Sequence, residues 1–503
     1  MRTPAWRRGT PPADAPDSPP TTTTASASAS ASASEPDAPA LLLVDDRSSP
    51  LTRYAVRTIP EHLVLLRFEE LPDEHLRRTA HLPTFRVHAG APLAEEAARY
   101  RAWADGLPAR PSAFCDPGEP HRSPAQYFAR LVGLPHLSGQ QVAWLHDTIE
   151  MKRRFRELGL RTADFLRVRT AGEVTWFASA HGWPVLLRPV DSCARGDVRR
   201  LDGPRSLVGI DLTAGAWMVE QFLGGTEWAV CALIHRGEVL DAWPSALPQH
   251  PPGPVGRTPD TVGPAAGTAI SVGTDEAPAV DLRALVQRIV TGLAIDRGYA
   301  HLGFRLIDGR LYAERIGLRP PDRATPANHG HAYGVDVLGA ALDVHRGIRP
   351  RLPHHNHPHH HLDHQPGHPH PAHRLRRCAG AVLLPLPGDG TVCRITPTED
   401  LMRVPGVVEA VLEVGVGDTV SARRPPEQAS GYVHVVGVSI AEVQRRMREV
   451  LDVFTIELGP TATPTDPPLP PPPPPSLPPP PPPSRPPPPP PRPVPLHRQE
   501  SPA

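Results

Sequence analysis

The chain has 503 residues and carries 53 Lys plus Arg against 53 Asp plus Glu, a balance that gives no pull toward nucleic acid or an anionic membrane surface. Its five cysteines (Cys115, Cys193, Cys231, Cys378 and Cys393) are odd in number and widely scattered, which excludes a disulfide framework and a close-spaced zinc site and reads as cytosolic free thiols. No apolar run reaches the roughly 18 residues a membrane span needs, and the N-terminus has Arg2, Arg7 and Arg8 but no apolar segment of a secretory leader, so a soluble, cytoplasmic protein is expected.

Residues 1–38 are Pro, Ala, Ser and Thr, and almost everything after Gly459 is proline. Neither end can bury enough apolar surface to offset its ordering entropy, so both are expected to be disordered tails. Between them, Ala40–Val44 and His62–Phe68 read as buried strands, Phe85–His88 as a short third strand, and Leu93–Leu107 as a helix. Ser112–Cys115 ends at the turn signal Asp116-Pro117-Gly118, and Ser123 is expected to cap a helix running to Val132 with Pro124 in its first position. Strand and helix alternate, which argues for a parallel α/β layer.

A helix Asp147–Leu158 stops at Gly159. It is followed by a strand Phe165–Arg169, a helix Gly172–His181, a strand Val185–Arg188, and two more strands, Trp217–Phe222 and Trp228–Ile234, around Leu223-Gly224-Gly225-Thr226. Pro244–Pro264 reads as a long connection, and Val280–Ile295 as an amphipathic helix. Tyr299–Ile307 and Arg310–Leu318 flank Asp308-Gly309, a dipeptide suited to a two-residue hairpin turn with positive φ at both positions. Counting outward from that turn sets Gly303 opposite Glu314 on a face shared by His301, Arg305 and Tyr312, with Ala300, Leu302, Phe304 and Leu306 on the other. A helix Val335–Arg346 precedes His354–His373, where ten histidines stand among prolines. Strands at Ala379–Leu386, Val392–Ile395, Val407–Val414 and Tyr432–Val436, a helix Ala441–Leu451 and a last strand Phe454–Leu458 complete the series.

Taken together, LHDTIEMKRRFRELGL, GWPVLLRPVDSCARGDV, MVEQFLGGTEWAV, the hairpin and YGVDVLGAALDVHRG resemble the ATP-grasp superfamily, in the branch of biotin carboxylase and the bacterial amino-acid ligases. VPGVVEAVLEVGVGD is similar to the terminal lobe of the amino-acid ligases. The resemblance implies an α/β and α+β chain with a three-layer N-terminal α/β domain (39–140), nucleotide-clasping lobes (141–350), a His-rich loop (351–376) and a small C-terminal α+β lobe (377–458), between tails 1–38 and 459–503. It further implies ATP held with Mg²⁺, and an ATP-dependent ligase that joins a small carboxylate to an amine, an amino acid among them, through an acyl phosphate. The competing expectation is a degenerate homologue that binds nucleotide or acts as a scaffold.

The resemblance also implies roles for particular residues. Glu220 and the main chain of Gln221 and Leu223 would hold adenine, and Glu227 the ribose hydroxyls. Thr148 stands where a phosphate-binding lysine is expected, with Lys152 one turn on along the same helix face; Arg188 replaces a second lysine with altered geometry, and Arg195 would reach phosphates from the lid. Of three metal positions, Glu314 keeps an oxygen ligand while Gly303 and Ile316 have none to offer, and Arg319 would be a substrate-side arginine, displaced by one residue. Cys193 reads as a small packing residue. The His-rich segment reads either as a disordered surface insertion or as a chelator of transition metals. The proline tail reads as an extended spacer or as a ligand for a domain with an aromatic-lined groove. Arg far outnumbers Lys, a bias resembling translation from a GC-rich genome, in which Arg for Lys is an expected exchange.

Overall fold

The structure, a computed structural model, describes residues 38–47, 49–118, 121–191, 198–247, 268–352, 377–421 and 430–460. The expected disordered tails, the histidine cluster, Cys193 and Arg195 lie outside these described residues. Near the N-terminus, β1 (Leu41–Val44), β2 (Leu63–Arg67), β3 (Thr84–Arg86) and β4 (Ala113–Cys115) pair in parallel in the order β3-β2-β1-β4. Both faces are covered, as an all-parallel sheet requires. On one side α3 (Leu93–Ala104) and α4 (Arg122–Leu131) pack through Ala97, Tyr100 and Phe128 onto Leu42, Val64 and Phe85. On the other, α1 (Pro50–Thr58) sets Leu51 and Ala55 against Leu41, Leu43 and Leu65.

Two details depart from the sequence reading here. Helix α1 and α2 (Asp73–Thr79) fall in stretches read as connections, although Ser49 caps α1 by accepting from Leu51 N and Pro50 starts it, which is a legible start signal. Helix α4 begins at Arg122, with His121 rather than Ser123 in the cap position and no side-chain cap.

The next elements are α5 (Gly139–His146), α6 (Thr148–Glu157), β5 (Phe165–Val168), α7 (Ala171–His181), β6 (Val185–Pro189), β7 (Arg199–Leu201) and β8 (Trp217–Gln221). The strands form an antiparallel sheet ordered β5-β8-β6-β7, backed by Val174 and Phe177 of α7. The chain then enters a second sheet through β9 (Thr226–His235), β10 (Glu238–Ala246), β11 (Ile270–Val272), β12 (Arg297–Ile307) and β13 (Arg310–Gly317), with α8 (Leu282–Gly292) before β12. Strand β10 runs through Pro244, where the sequence suggested a connection. Proline is tolerated there because β11 pairs only with Ser245 and Ala246, leaving the neighbouring side of Pro244 outside the ladder.

After α9 (Thr325–Tyr333) and α10 (Val337–His345) come β14 (Cys378–Leu384), β15 (Gly390–Ile395), α11 (Thr398–Met402), β16 (Val407–Leu412), β17 (Thr419–Val420), β18 (Gly431–Gly437), α12 (Ile440–Val453) and β19 (Ile456–Gly459). Strands β14, β18 and β16 extend the second sheet to eight strands, in the order β13-β12-β9-β10-β11-β14-β18-β16, while β15, β17 and β19 make a small sheet of their own. Helix α8 and α12 cover one face of the long sheet, and α10 is packed between its other face and the N-terminal sheet through Ala341 and Val344. Among the described residues no helix is long and apolar enough to cross a membrane.

The crossing from the small clasping sheet to the long sheet is tight. Gly225 has φ +81°, and a Cβ there would run into Leu306 O and come within 2.8 Å of Ile307 Cγ1. Gly225→Ala is therefore expected to lower stability by about 2 kcal/mol or more, read as a fall in denaturation midpoint. A midpoint equal to that of the unsubstituted chain would show that the crossing relaxes freely.

Candidate functional site

Helix α6 stands between the two clasping sheets. Asp147 caps it, accepting from Ile149 N and Glu150 N at 2.8 and 3.0 Å. Met151 and Phe155 turn into the core of the long sheet, while Ile149 packs on Val190 and Met218 of the other lobe. Thr148 and Lys152 share the face turned toward β8. Thr148 is 1 % exposed and its N–H is bound to Val190 O at 2.8 Å. Lys152, also 1 % exposed, reaches Glu220, with Nζ 3.0 Å from Oε2 as an ion pair rather than a well-aligned hydrogen bond.

From β6, Arg188 Nη1 donates to Glu220 Oε1 at 3.2 Å. Burial alone would raise the Glu220 pKa, but the charges of Lys152 and then Arg188 overcome it and bring it down to about 2. Glu220 is thus a fixed anion at neutral pH, capable only of accepting hydrogen bonds. Lys152 is also the chain's single lysine; the other 52 of its 53 basic residues are arginines. The sequence reading noted the Arg excess without using this exception, which points straight to the site.

On the long sheet, the turn at Asp308-Gly309 has the expected positive φ at both residues, 48° and 71°. Ile307 pairs with Arg310, Leu306 with Leu311, Arg305 with Tyr312 and Phe304 with Ala313. There the count changes, because a β-bulge at Glu314 makes Gly303 the partner of Arg315 and Leu302 that of Ile316. The expected facing pair of Gly303 and Glu314 is therefore corrected to Gly303 and Arg315. Ile316, 2 % exposed, belongs to the core, and the position two residues beyond the facing one is Gly317. The same slip removes the displacement of Arg319, which regains the spacing expected of a substrate-side arginine. Its Nη1 donates to Pro320 O at 3.1 Å, so its guanidinium lies against its own loop.

Glu314 and Glu227 are joined by one cation. Arg305 donates through Nε to Glu314 Oε1 at 2.7 Å and through Nη2 to Glu227 Oε2 at 2.9 Å. Burial opposes the charged form of Arg305, but Glu314 and then Glu227 favour it more strongly, and its pKa is raised. Glu220 contributes in the same direction, so the two charge clusters sense each other. Arg315 lies over Gly303: a Cβ on Gly303 would meet Arg315 Cγ at 3.7 Å and Glu314 Oε2 at 3.9 Å. Gly303, Arg315 and Gly317 bring no carboxylate or amide oxygen to the expected metal position, and the two nearby carboxylates are held by Arg305. Hard Mg²⁺ needs such oxygens, and among the described residues no group of three His, Cys, Asp or Glu could hold a metal ion. The residues present do not fit Mg²⁺.

Solved structures of similar architecture bear directly on this arrangement. An L-amino acid ligase from Bacillus licheniformis superposes with a TM-score of 0.59 and 18 % identity, covering 84 % of this chain and 99 % of that one. The N5-carboxyaminoimidazole ribonucleotide synthetase from Thermotoga maritima gives 0.56 at 12 % identity, over 84 % of this chain and all of the other. The chain has the ATP-grasp fold.

A third ATP-grasp neighbour, the biotin carboxylase domain of the Hydrogenobacter thermophilus 2-oxoglutarate carboxylase, was solved with MgADP, ADP and bicarbonate; it gives 0.55 at 15 % identity, over 83 % and 90 % of the two chains. Within the ATP-grasp chain described here, residues 382–459 match the family model of the L-amino acid ligase C-terminal domain 2. No curated protein sequence matches the chain.

The fold also buries a histidine without a compensating charge. His329 of α9 is fully buried, with Nδ1 2.7 Å from Ser271 Oγ, and burial lowers its pKa from 6.5 to about 3. A folded-state pKa below the unfolded one means that the unfolded chain takes up the proton first, so this contribution is complete above pH 6.5 and is lost as pH falls toward 3. Glu220 adds a second loss below 4.5, its ordinary value, as pH approaches about 2. The melting temperature is expected to fall steadily below pH 6.5, and a level profile down to 4.5 would contradict the buried neutral histidine.

Proposed function

We propose that the cleft between the β5-β8-β6-β7 sheet and the β9-β12-β13 end of the long sheet binds an adenine nucleotide. The observation that carries this reading is Glu220, 5 % exposed and kept ionised by Lys152 and Arg188 at the end of β8, immediately before the crossing strand. A carboxylate that can only accept selects a base presenting an amine over one presenting a carbonyl at the same edge. Gln221 and Leu223 would supply main-chain contacts to the same base and Glu227 would face the ribose. Arg188, more exposed than Lys152, is placed to turn toward phosphate, and Arg195 would approach from the lid. Bound ADP or ATP is named for several neighbours of the same fold.

The single lysine supplies the test. With ¹⁵N-lysine incorporated, the chain has one side-chain amine resonance, from Lys152. ADP is expected to shift it saturably and GDP to leave it in place. No shift with ADP, or equal shifts with both, would sink the reading.

A second reading, an ATP-dependent carboxylate–amine ligase acting through an acyl phosphate with Arg319 on the substrate side, is favoured by the match of residues 382–459 to an amino-acid ligase domain. ADP release that depends on an added amino acid and disappears in Arg319→Ala would support it. ATP turnover indifferent to every amino acid would count against it.

A further inference from the structure

We propose that Arg305 takes the place of a metal ion in this cleft, so that nucleotide phosphates are met by cations built into the chain and binding does not require Mg²⁺. The inference rests on the nucleotide-binding reading and adds to it the ionic requirement of the site. Three observations converge on it. The strand positions expected to carry metal ligands hold Gly303, Arg315 and Gly317, a register fixed by the bulge at Glu314. The two carboxylates nearest that point, Glu227 and Glu314, converge on a single cation, the Arg305 guanidinium, at 2.9 and 2.7 Å. That guanidinium is largely buried, with 19 % of its side chain exposed, so the pair is poorly screened and the carboxylates are not readily released to another cation.

The charge balance points the same way. Lys152, Arg188, Arg305 and Arg315 bring four positive charges to the two clusters, against three negative ones on Glu220, Glu227 and Glu314. A divalent ion would have to enter a region that already has an excess of fixed cations and displace a bidentate guanidinium to find its ligands. A polyphosphate, in contrast, brings the negative charge this region lacks. Arg305 is itself a preorganised bridge: its planar fork spans two carboxylates, from β9 and β13, as a small ammonium could not, and so holds the hairpin in the geometry that a bridging metal would otherwise impose.

The test is calorimetric titration of the full chain with ADP, in EDTA and in Mg²⁺. Mg²⁺ is the probe of choice because the histidines of 354–373 would capture softer ions. The wild-type dissociation constant is expected to agree within about twofold between the two conditions. In Arg305→Met, Glu227 and Glu314 lose their cation. Affinity in EDTA is then expected to fall by about tenfold or more, and Mg²⁺, now able to use the freed carboxylates, is expected to restore part of it.

Wild-type binding that appears only with Mg²⁺ would overturn the inference and leave the nucleotide-binding reading standing. An Arg305→Met chain equally affine in EDTA and Mg²⁺ would also overturn it. No ADP binding under either condition would remove both. Should Arg305→Met fail to fold, Arg305→Lys serves instead: it keeps the charge and loses the two-carboxylate bridge, and it is expected to weaken metal-free binding by less than the methionine variant of a folded chain would. An Arg305→Lys chain that needs Mg²⁺ as strictly as its neighbours of known metal use would show that the guanidinium was never the substitute.

Discussion

Glu220→Leu is expected to destabilise the chain by roughly 3–5 kcal/mol, because it strands Lys152 in the interior without a counter-charge. Lys152 is 1 % exposed and its amine has Glu220 as its ion partner; Arg188, with 15 % of its side chain exposed, can swing out and loses less. The paired change Glu220→Leu with Lys152→Met removes both charges, and is expected to regain most of the loss, since two apolar groups of similar volume replace a buried pair at little net cost. Denaturant unfolding of the four chains of this cycle measures the coupling directly. A single substitution at Glu220 costing less than about 1 kcal/mol would mean that water reaches the pair and that Glu220 is not the fixed anion inferred above.

The second large effect separates the two registers of the hairpin. In the observed register, Gly303→Glu combined with Arg315→Glu sets two carboxylates opposite one another across the strands, at the spacing of a cross-strand pair. The space exists, since a Cβ at Gly303 meets its first neighbours at 3.7 to 4.0 Å, ordinary contact distances. That double variant is expected to melt several degrees higher in Mg²⁺ than in EDTA, where the unsubstituted chain does not change. Ile316→Asn, which the simple count from the turn would choose as a metal ligand, instead drives an amide into the core beside Met151, at a cost of about 4 kcal/mol. If Ile316→Asn were tolerated and the Gly303/Arg315 variant ignored Mg²⁺, the bulge would not exist in solution.

Much of the architecture was legible because its signals are local. The Asp308-Gly309 turn, the Asp147 cap, the stop at Gly159 and the alternation of Ala300, Leu302, Phe304 and Leu306 each follow from one or two residues and their backbone preferences, and all lie where the sequence puts them. The bulge was missed for an instructive reason. Counting from the turn assumes an unbroken period of two, whereas the apolar positions of the second strand are Leu311 and Ala313, then Ile316 and Leu318, and all four pack on the same core. The change from odd to even positions is the extra residue itself, already visible in the alternation.

Strand β10 was hidden by Pro244, read as a breaker although it occupies a place where no ladder partner is needed. The site was legible in its conserved chemistry of charge but not in its pairing. That Glu220 binds both Lys152 and Arg188, and that Arg305 joins Glu227 to Glu314, depends on three strands and a helix brought together over long separations, which no local pattern encodes.

Lys152 has a consequence beyond its ion pair. Everywhere else in this chain a basic position is satisfied by arginine, so the pressure of composition that produced 52 of them has met one place it could not convert. A guanidinium carries five donors in a plane, and a cavity closed to water around one carboxylate oxygen can satisfy few of them; an ammonium is compact enough to be accommodated by what is there. The interior at α6 therefore discriminates by the size and hydration of a cation rather than by its sign. Lys152→Arg, a change that this chain's composition would make look trivial, is the exchange its interior is least able to accept.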